Sequence, residues 1–143
     1  MTRKIILICL ACLCLMAAMT ACTAKPDPNV DIDYSIYEPK EADKKLSVIM
    51  KNPADYIGKT MKITGEFQWD ATYATETIFT IRTNYGQYGL ELPFQLKEPW
   101  QSPDEWPERA VSMCLVGTLQ IIETPDGGTR LALVDAEIVK IDK

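Results

Sequence analysis

The chain predicts a mainly β domain, a small closed sheet of five strands preceded by a short N-terminal helix, and three observations predict it. Side chains alternate with period two from Lys59 to Trp69 and again in four later runs. Gly65 and Gly117 stand mid-run on the inward face of the first and fourth of these. Asp126-Gly127 marks a tight connection between the last two. Five strands in so short a domain have edges to hide, and closing the sheet on itself hides them.

Ahead of the domain, Thr2-Arg3-Lys4 is followed by an uncharged apolar run from Ile5 to Met19. That run has the length of a secretory leader's apolar region and falls short of the ~20 residues a membrane span needs. The tetrapeptide Met19-Thr20-Ala21-Cys22 resembles the bacterial lipobox, with Met19 in place of the usual Leu. The resemblance implies a signal peptide over 1–21, a diacylglyceryl thioether on Cys22, and an acylated new N-terminus. It places the chain at the extracytoplasmic face of a bacterial cell membrane, with the membrane as partner through that lipid. Several buried acyl chains hold far more firmly than one.

Cysteine usage fits export. Cys9, Cys12 and Cys14 fall in the leader, leaving Cys22 and Cys114. With lipid on Cys22, Cys114 has no internal partner, and within Val111–Val116 it reads as a small buried hydrophobe. Stability must then come from an ordinary core, which about 100 residues can supply.

Removing Arg3 and Lys4 with the leader leaves 13 basic residues against 20 acidic ones. An acidic body of this kind repels phosphate backbones, so nucleic acid is excluded as a partner class. The chain has no histidine, which removes the commonest general base, the Ser-His and Cys-His pairs and the commonest zinc ligand. No cofactor is implied. Asp31 and Asp33 lack the glycine and closing glutamate of a calcium loop.

Residues 22–40 hold Pro26, Pro28 and Pro39 without periodicity and read as a tether, with Tyr34, Ile36 and Tyr37 able to dock its end. The domain is expected over 41–143. Ala42, Leu46, Ile49 and Met50 fall at helical spacing within Glu41–Met50. Asn52-Pro53 then opens a short second turn that Gly58 ends.

The five strands follow. Met61, Ile63, Gly65, Phe67 and Trp69 share the inward face of the first. The second, Thr77–Tyr85, turns Phe79 and Ile81 inward; the third, Tyr88–Leu96, turns Tyr88, Leu90, Leu92 and Phe94 inward, with Pro93 marking an edge or bulge. The fourth, Ala110–Glu123, aligns Met113, Leu115, Gly117, Leu119 and Ile121, and the fifth runs Arg130–Ile141. Between the third and fourth, Ser102-Pro103 reads as a cap and first helical position, with Trp100 and Trp106 expected to plug one end of the closed sheet.

Long first and fourth strands, a long connection before the fourth and a final hairpin resemble the OB-fold. The likeness runs over roughly 56–143, carried by Gly58–Phe67, Val116–Gln120 and Leu133–Ile138. These segments are similar to those of uncharacterised OB-fold lipoproteins of Gram-positive bacteria. Some such proteins carry a Cys-Cys pair before the third strand; Asn84–Gly89 has none, so no thiol or metal role carries over. The resemblance implies a five-stranded OB-like Greek-key barrel whose ligand face is formed by the second and third strands and two loops. On this chain that face is Trp69, Tyr73, Arg82, Asn84 and Gln87, with Asp126 at the rim and Asp70 and Thr80 nearby.

No acid/base constellation is visible, so the leading expectation is a lipid-anchored extracytoplasmic binding or scaffold module for an envelope protein or saccharide. One alternative is a hydrolase of cell-envelope saccharide using carboxylates drawn from Asp70, Glu91 and Asp126. The other is an accessory subunit of a membrane transporter, gaining effective concentration from its tether.

Overall fold

The computed structural model describes residues 24–70, 78–84 and 89–142, with the Asp70 side chain left out of the description. The architecture is mainly β: a six-stranded mixed sheet with one α-helix. In chain order the elements are β1 (Ile32–Asp33), α1 (Pro39–Lys51), β2 (Thr60–Asp70), β3 (Ile78–Arg82), β4 (Glu91–Leu96), β5 (Ser112–Glu123) and β6 (Thr129–Ile141). The order is β1-β2-β3-β4-β6-β5, and β5 pairs back onto β2, so five of the strands close a ring of hydrogen bonds.

α1 begins at Pro39, two residues earlier than the apolar spacing predicts. Pro39 takes a first-turn position that needs no amide donor. Ala42, Leu46 and Ile49 are its buried residues. Fully buried Leu46 and Ile49 contribute about 1.5–3 kcal/mol each by leaving water. The amide of Asn52 closes α1 on the carbonyls of Val48 and Ile49. The cap expected of the Ser102 side chain is not formed, and the Asn52 side chain likewise does not cap the 3-10 turn that follows it.

β2 alternates as predicted, with Met61, Ile63 and Phe67 fully buried. Its first half pairs with β5 and its second half with β3, the exchange falling at Gly65–Glu66. Gly65 is required there, since a Cβ would lie 2.3 Å from the Arg82 carbonyl oxygen. β6 likewise pairs antiparallel with β5 and parallel with β4. Its register against β5 shifts around Asp135, which has φ 49°, while Gly117 leaves room for Leu133 and the Val134 carbonyl. Pro93 lies between two neighbouring strands rather than on an edge. It pairs with Thr80, while β4 joins β6 only from Phe94 onward, beside a register shift.

Three expectations need correction. The strand count is six, because Ile32 and Asp33 add parallel to Met61 and Lys62, on the half of β2 that β3 leaves free. Two residues among prolines and aspartates carry no period for a sequence reading to find. The tether expected over 22–40 is docked from Asp27 onward. Asp27 accepts from Lys62 at 3.1 Å, Asp31 accepts from the Thr60 amide at 2.8 Å, and Tyr34 donates its amide to the Lys62 carbonyl at 2.7 Å. Ile121, expected inward, is 42% exposed, because β5 and β6 run on beyond the ring as a two-stranded arm where Ile121 faces Leu131.

One core unites α1 with the ring, and Phe67, Ile81, Leu92, Met113, Leu115, Leu119 and Leu133 fill it. Cys114 is buried and unpaired, consistent with a small hydrophobe.

Candidate functional site

Four of the six residues expected to form a ligand face, Trp69, Arg82, Asn84 and Asp126, are among the described residues. Tyr73 and Gln87, like Cys22, lie outside the described residues. The half-buried Trp69 ring packs 5.6 Å from Trp106 and lies under the Arg109 guanidinium, 3.8 Å from ring centroid to its carbon. Arg109 also donates to the Trp69 carbonyl at 3.0 Å. Trp69 is thus committed to the molecule's own packing. Arg82 sits opposite Glu91 in the β3–β4 ladder and forms an ion pair with it. Asn84 closes the end of β3 against Gly89, where a Cβ would meet the Asn84 carbonyl oxygen at 2.3 Å.

Asp126 is spent inside the β5–β6 turn, accepting from the Thr124 hydroxyl and from the Gly128 amide. Those bonds, the Thr124 hydroxyl first, hold its carboxyl below the usual carboxylate range. Gly127 supplies the turn's positive φ of 80°, as its place after Asp126 predicts. Among the described residues, no three His, Cys, Asp or Glu side chains converge as a metal site.

What the fold does assemble is an aromatic groove of about 350 Å³. β3 contributes Ile78 and Phe79, β4 contributes Phe94 and Gln95, the following connection contributes Pro99 and Trp100, and the hairpin arm contributes Ile122 to Pro125. Trp100 is the organising side chain. Its ring stands edge-on to Phe79 at 5.0 Å and 88°, and to Phe67 at 5.6 Å and 80°. Phe94, 3% exposed, closes the aromatic floor 6.0 Å from Phe79. Offset and edge-on pairs of this kind contribute about 0.5–1.5 kcal/mol each beyond area burial. Trp106 is also edge-on to Phe79, at 5.2 Å. Trp100 and Trp106 are both half-buried: they pack on the aromatic end of the core and leave part of each ring to solvent.

A second hollow of about 380 Å³ lies along Leu96, Trp100, Ala136 and Ile138. Lys97 and Glu137, an ion pair at 2.7 Å, belong to its wall. Each partner is more than half exposed, so the pair is a weak constraint in water. The 350 Å³ groove is the better candidate, since it joins four separate parts of the chain around apolar and aromatic walls with few polar groups.

Trp100 stands out in the sequence, but the groove does not. Its walls are spread over residues 78 to 125, and Phe79 and Phe94 carry the period of plain core residues. Pro93 between Leu92 and Phe94, and Pro99 beside Trp100, were the one local signal.

No known family model, curated protein or solved structure matches this chain.

Proposed function

We propose that the chain is a lipid-anchored, non-catalytic binding module at the extracytoplasmic face of a bacterial membrane, built as an OB-like Greek-key barrel. Its groove holds an extended apolar segment of an envelope protein. The observation that carries this reading is the position of Trp100, edge-on to Phe79 and facing the β5–β6 hairpin across an apolar groove. Support for the OB-like assignment comes from the ring order β2-β3-β4-β6-β5 and the parallel β4–β6 pairing. OB-folds use the face of their second and third strands with the fourth-to-fifth strand loop. The groove occupies the corresponding place.

The lining favours peptide over saccharide. Its walls are aliphatic, aromatic and proline-rich, with Gln95, Glu123 and Thr124 as polar contributors, whereas a sugar presents hydroxyls that each want a partner. Aromatic-lined grooves suit extended, proline-containing segments, whose backbone is preformed for docking. Glu91 is engaged by Arg82 and Asp126 by its own turn, which leaves neither free for the paired-carboxylate hydrolase.

A photoreactive benzophenone side chain in place of Gln95 is expected to crosslink to a discrete envelope protein in intact cells. The crosslink should vanish in Trp100→Ala and Ile122→Arg backgrounds and be absent when the probe replaces Lys140. Lack of a Trp100-dependent crosslink, together with groove amide signals moved by disaccharide wall fragments, would replace the peptide reading with a saccharide one. Mass spectrometry of the N-terminal peptide tests the anchor: acylated Cys22 is expected, and an intact Met1 terminus overturns it.

A further inference from the structure

The docking of Asp27 changes what a lipid on Cys22 would do. Four residues lie between the two, five Cα-to-Cα steps, so the leash spans at most about 17 Å. The body is thereby held against the membrane rather than at a distance from it, and one of its surfaces must face the lipid. From the leash the contacts lead directly to α1. The Asp27 amide donates to Asp33, Tyr34 packs edge-on to Tyr37 at 6.0 Å, and the Lys45 ammonium lies 4.4 Å from the Tyr37 ring centroid.

The outer side of α1 carries Lys40, Lys44 and Lys51, all exposed. At 3.6 residues per turn the three fall within about 40° of one another around the helix, opposite buried Ala42, Leu46 and Ile49. Among the described residues none of the three is in an ion pair, unlike Lys45 with Glu41 or Lys62 with Asp27. Val48, 50% exposed, lies beside them. The charge of the chain is divided in the same sense. Residues 24–63 hold seven basic and seven acidic side chains, and residues 64–143 hold six basic and thirteen acidic.

We infer that the Lys40–Lys44–Lys51 stripe of α1 is a membrane-facing surface that rests on anionic lipid headgroups and sets the orientation of the body. The inference rests on the lipid anchor proposed above. Each lysine near an anionic leaflet is attracted to it, while the acidic remainder is repelled, so one face turns inward and the other outward.

The test uses the full chain, expressed with its leader in a bacterium and extracted from the membranes. It is reconstituted into vesicles of phosphatidylcholine alone or with about 30 mole per cent phosphatidylglycerol. Lysine acylation by a water-soluble ester is then read by mass spectrometry. Lys40, Lys44 and Lys51 are expected to react at least about threefold more slowly on the anionic vesicles, with Lys97 and Lys140 little changed, and about 0.5 M salt should abolish the difference. Equal rates on the two vesicle types, or equal protection of Lys97 and Lys140, overturns the inference while leaving the anchor standing. A chain that fails to float with vesicles at high salt overturns the anchor and this inference with it.

Discussion

Asp43 on α1 accepts a 2.7 Å hydrogen bond from the hydroxyl of Thr83, forty residues along the chain at the end of β3. The same carboxylate oxygen accepts the Leu90 amide at 2.7 Å, just before β4. One side chain thus fastens the helix to both strands that border the groove. Asp43→Ala leaves the Thr83 hydroxyl, 2% exposed, and the Leu90 amide without their acceptor. A loss of about 2–3 kcal/mol is expected, against about 1 kcal/mol for Thr83→Val, which removes donor and hydroxyl together. Urea unfolding midpoints measure both, and equal losses would mean that Asp43 does not act as the shared acceptor.

The two glycines that permit closure are expected to tolerate no side chain. A Cβ on Gly65 meets the Arg82 carbonyl at 2.3 Å, and one on Gly117 meets the Val134 carbonyl and a Leu133 methine at 2.8 Å. Backbone atoms cannot swing aside, so Gly65→Ala and Gly117→Ala should each cost more than about 3 kcal/mol or abolish folding. Gly58→Ala meets open space and pays only for its φ of 83°, about 1–2 kcal/mol. Thermal melts of the three variants check the ranking.

Ala110 holds φ 64° where the chain enters β5, fixed by the hydrogen bond its amide donates to the Phe67 carbonyl at 2.8 Å. Alanine resists that conformation by about 1–2 kcal/mol, and glycine returns part of this through its larger unfolded-state entropy. Ala110→Gly should therefore stabilise the domain by about 0.5–1 kcal/mol and raise its Tm by a few degrees. Asp135→Gly, at φ 49°, should gain less, because aspartate tolerates the left-handed region better. A lower melting temperature in Ala110→Gly would count against strain at that position.

Acid should loosen the docked N-terminal segment. Asp27 is held below its ordinary value of 3.8 by the Asn29 amide first and by Lys62 next, and Asp31 is lowered by the Thr60 amide and hydroxyl. A lowered folded-state pKa stabilises the fold above the ordinary value, and the contribution disappears as pH falls through the shifted one. Lys62 is raised above 10.5, chiefly by Asp27, so its share persists below that value and is lost at still higher pH. The Thr60 amide resonance should stay constant from about pH 5 to 9 and move only below about pH 4. A transition near neutrality would show that other groups hold β1 in place.

The inward faces were legible residue by residue. Met61, Ile63 and Phe67, and Met113, Leu115 and Leu119, are buried as their alternation demands, because a pleated strand offers only two faces. Gly65 and Gly117 were legible too, since a missing side chain amid β-branched and aromatic neighbours marks a close approach. Trp69 and Arg82, expected on a ligand face, also have partners within the fold. Their polar or aromatic character is satisfied by Arg109 and Glu91, partners that only the register brings near.

Local periodicity, turn chemistry and the lipobox-like leader are written within stretches of ten or twenty residues, so the amino-acid order alone determined the mainly β class, the inward faces and the expectation of a membrane anchor. The groove around Trp100 and the docking of Asp27 were decided by the folded chain. Each depends on segments distant in sequence meeting at a particular strand pairing, and no single segment carries the energy of that meeting.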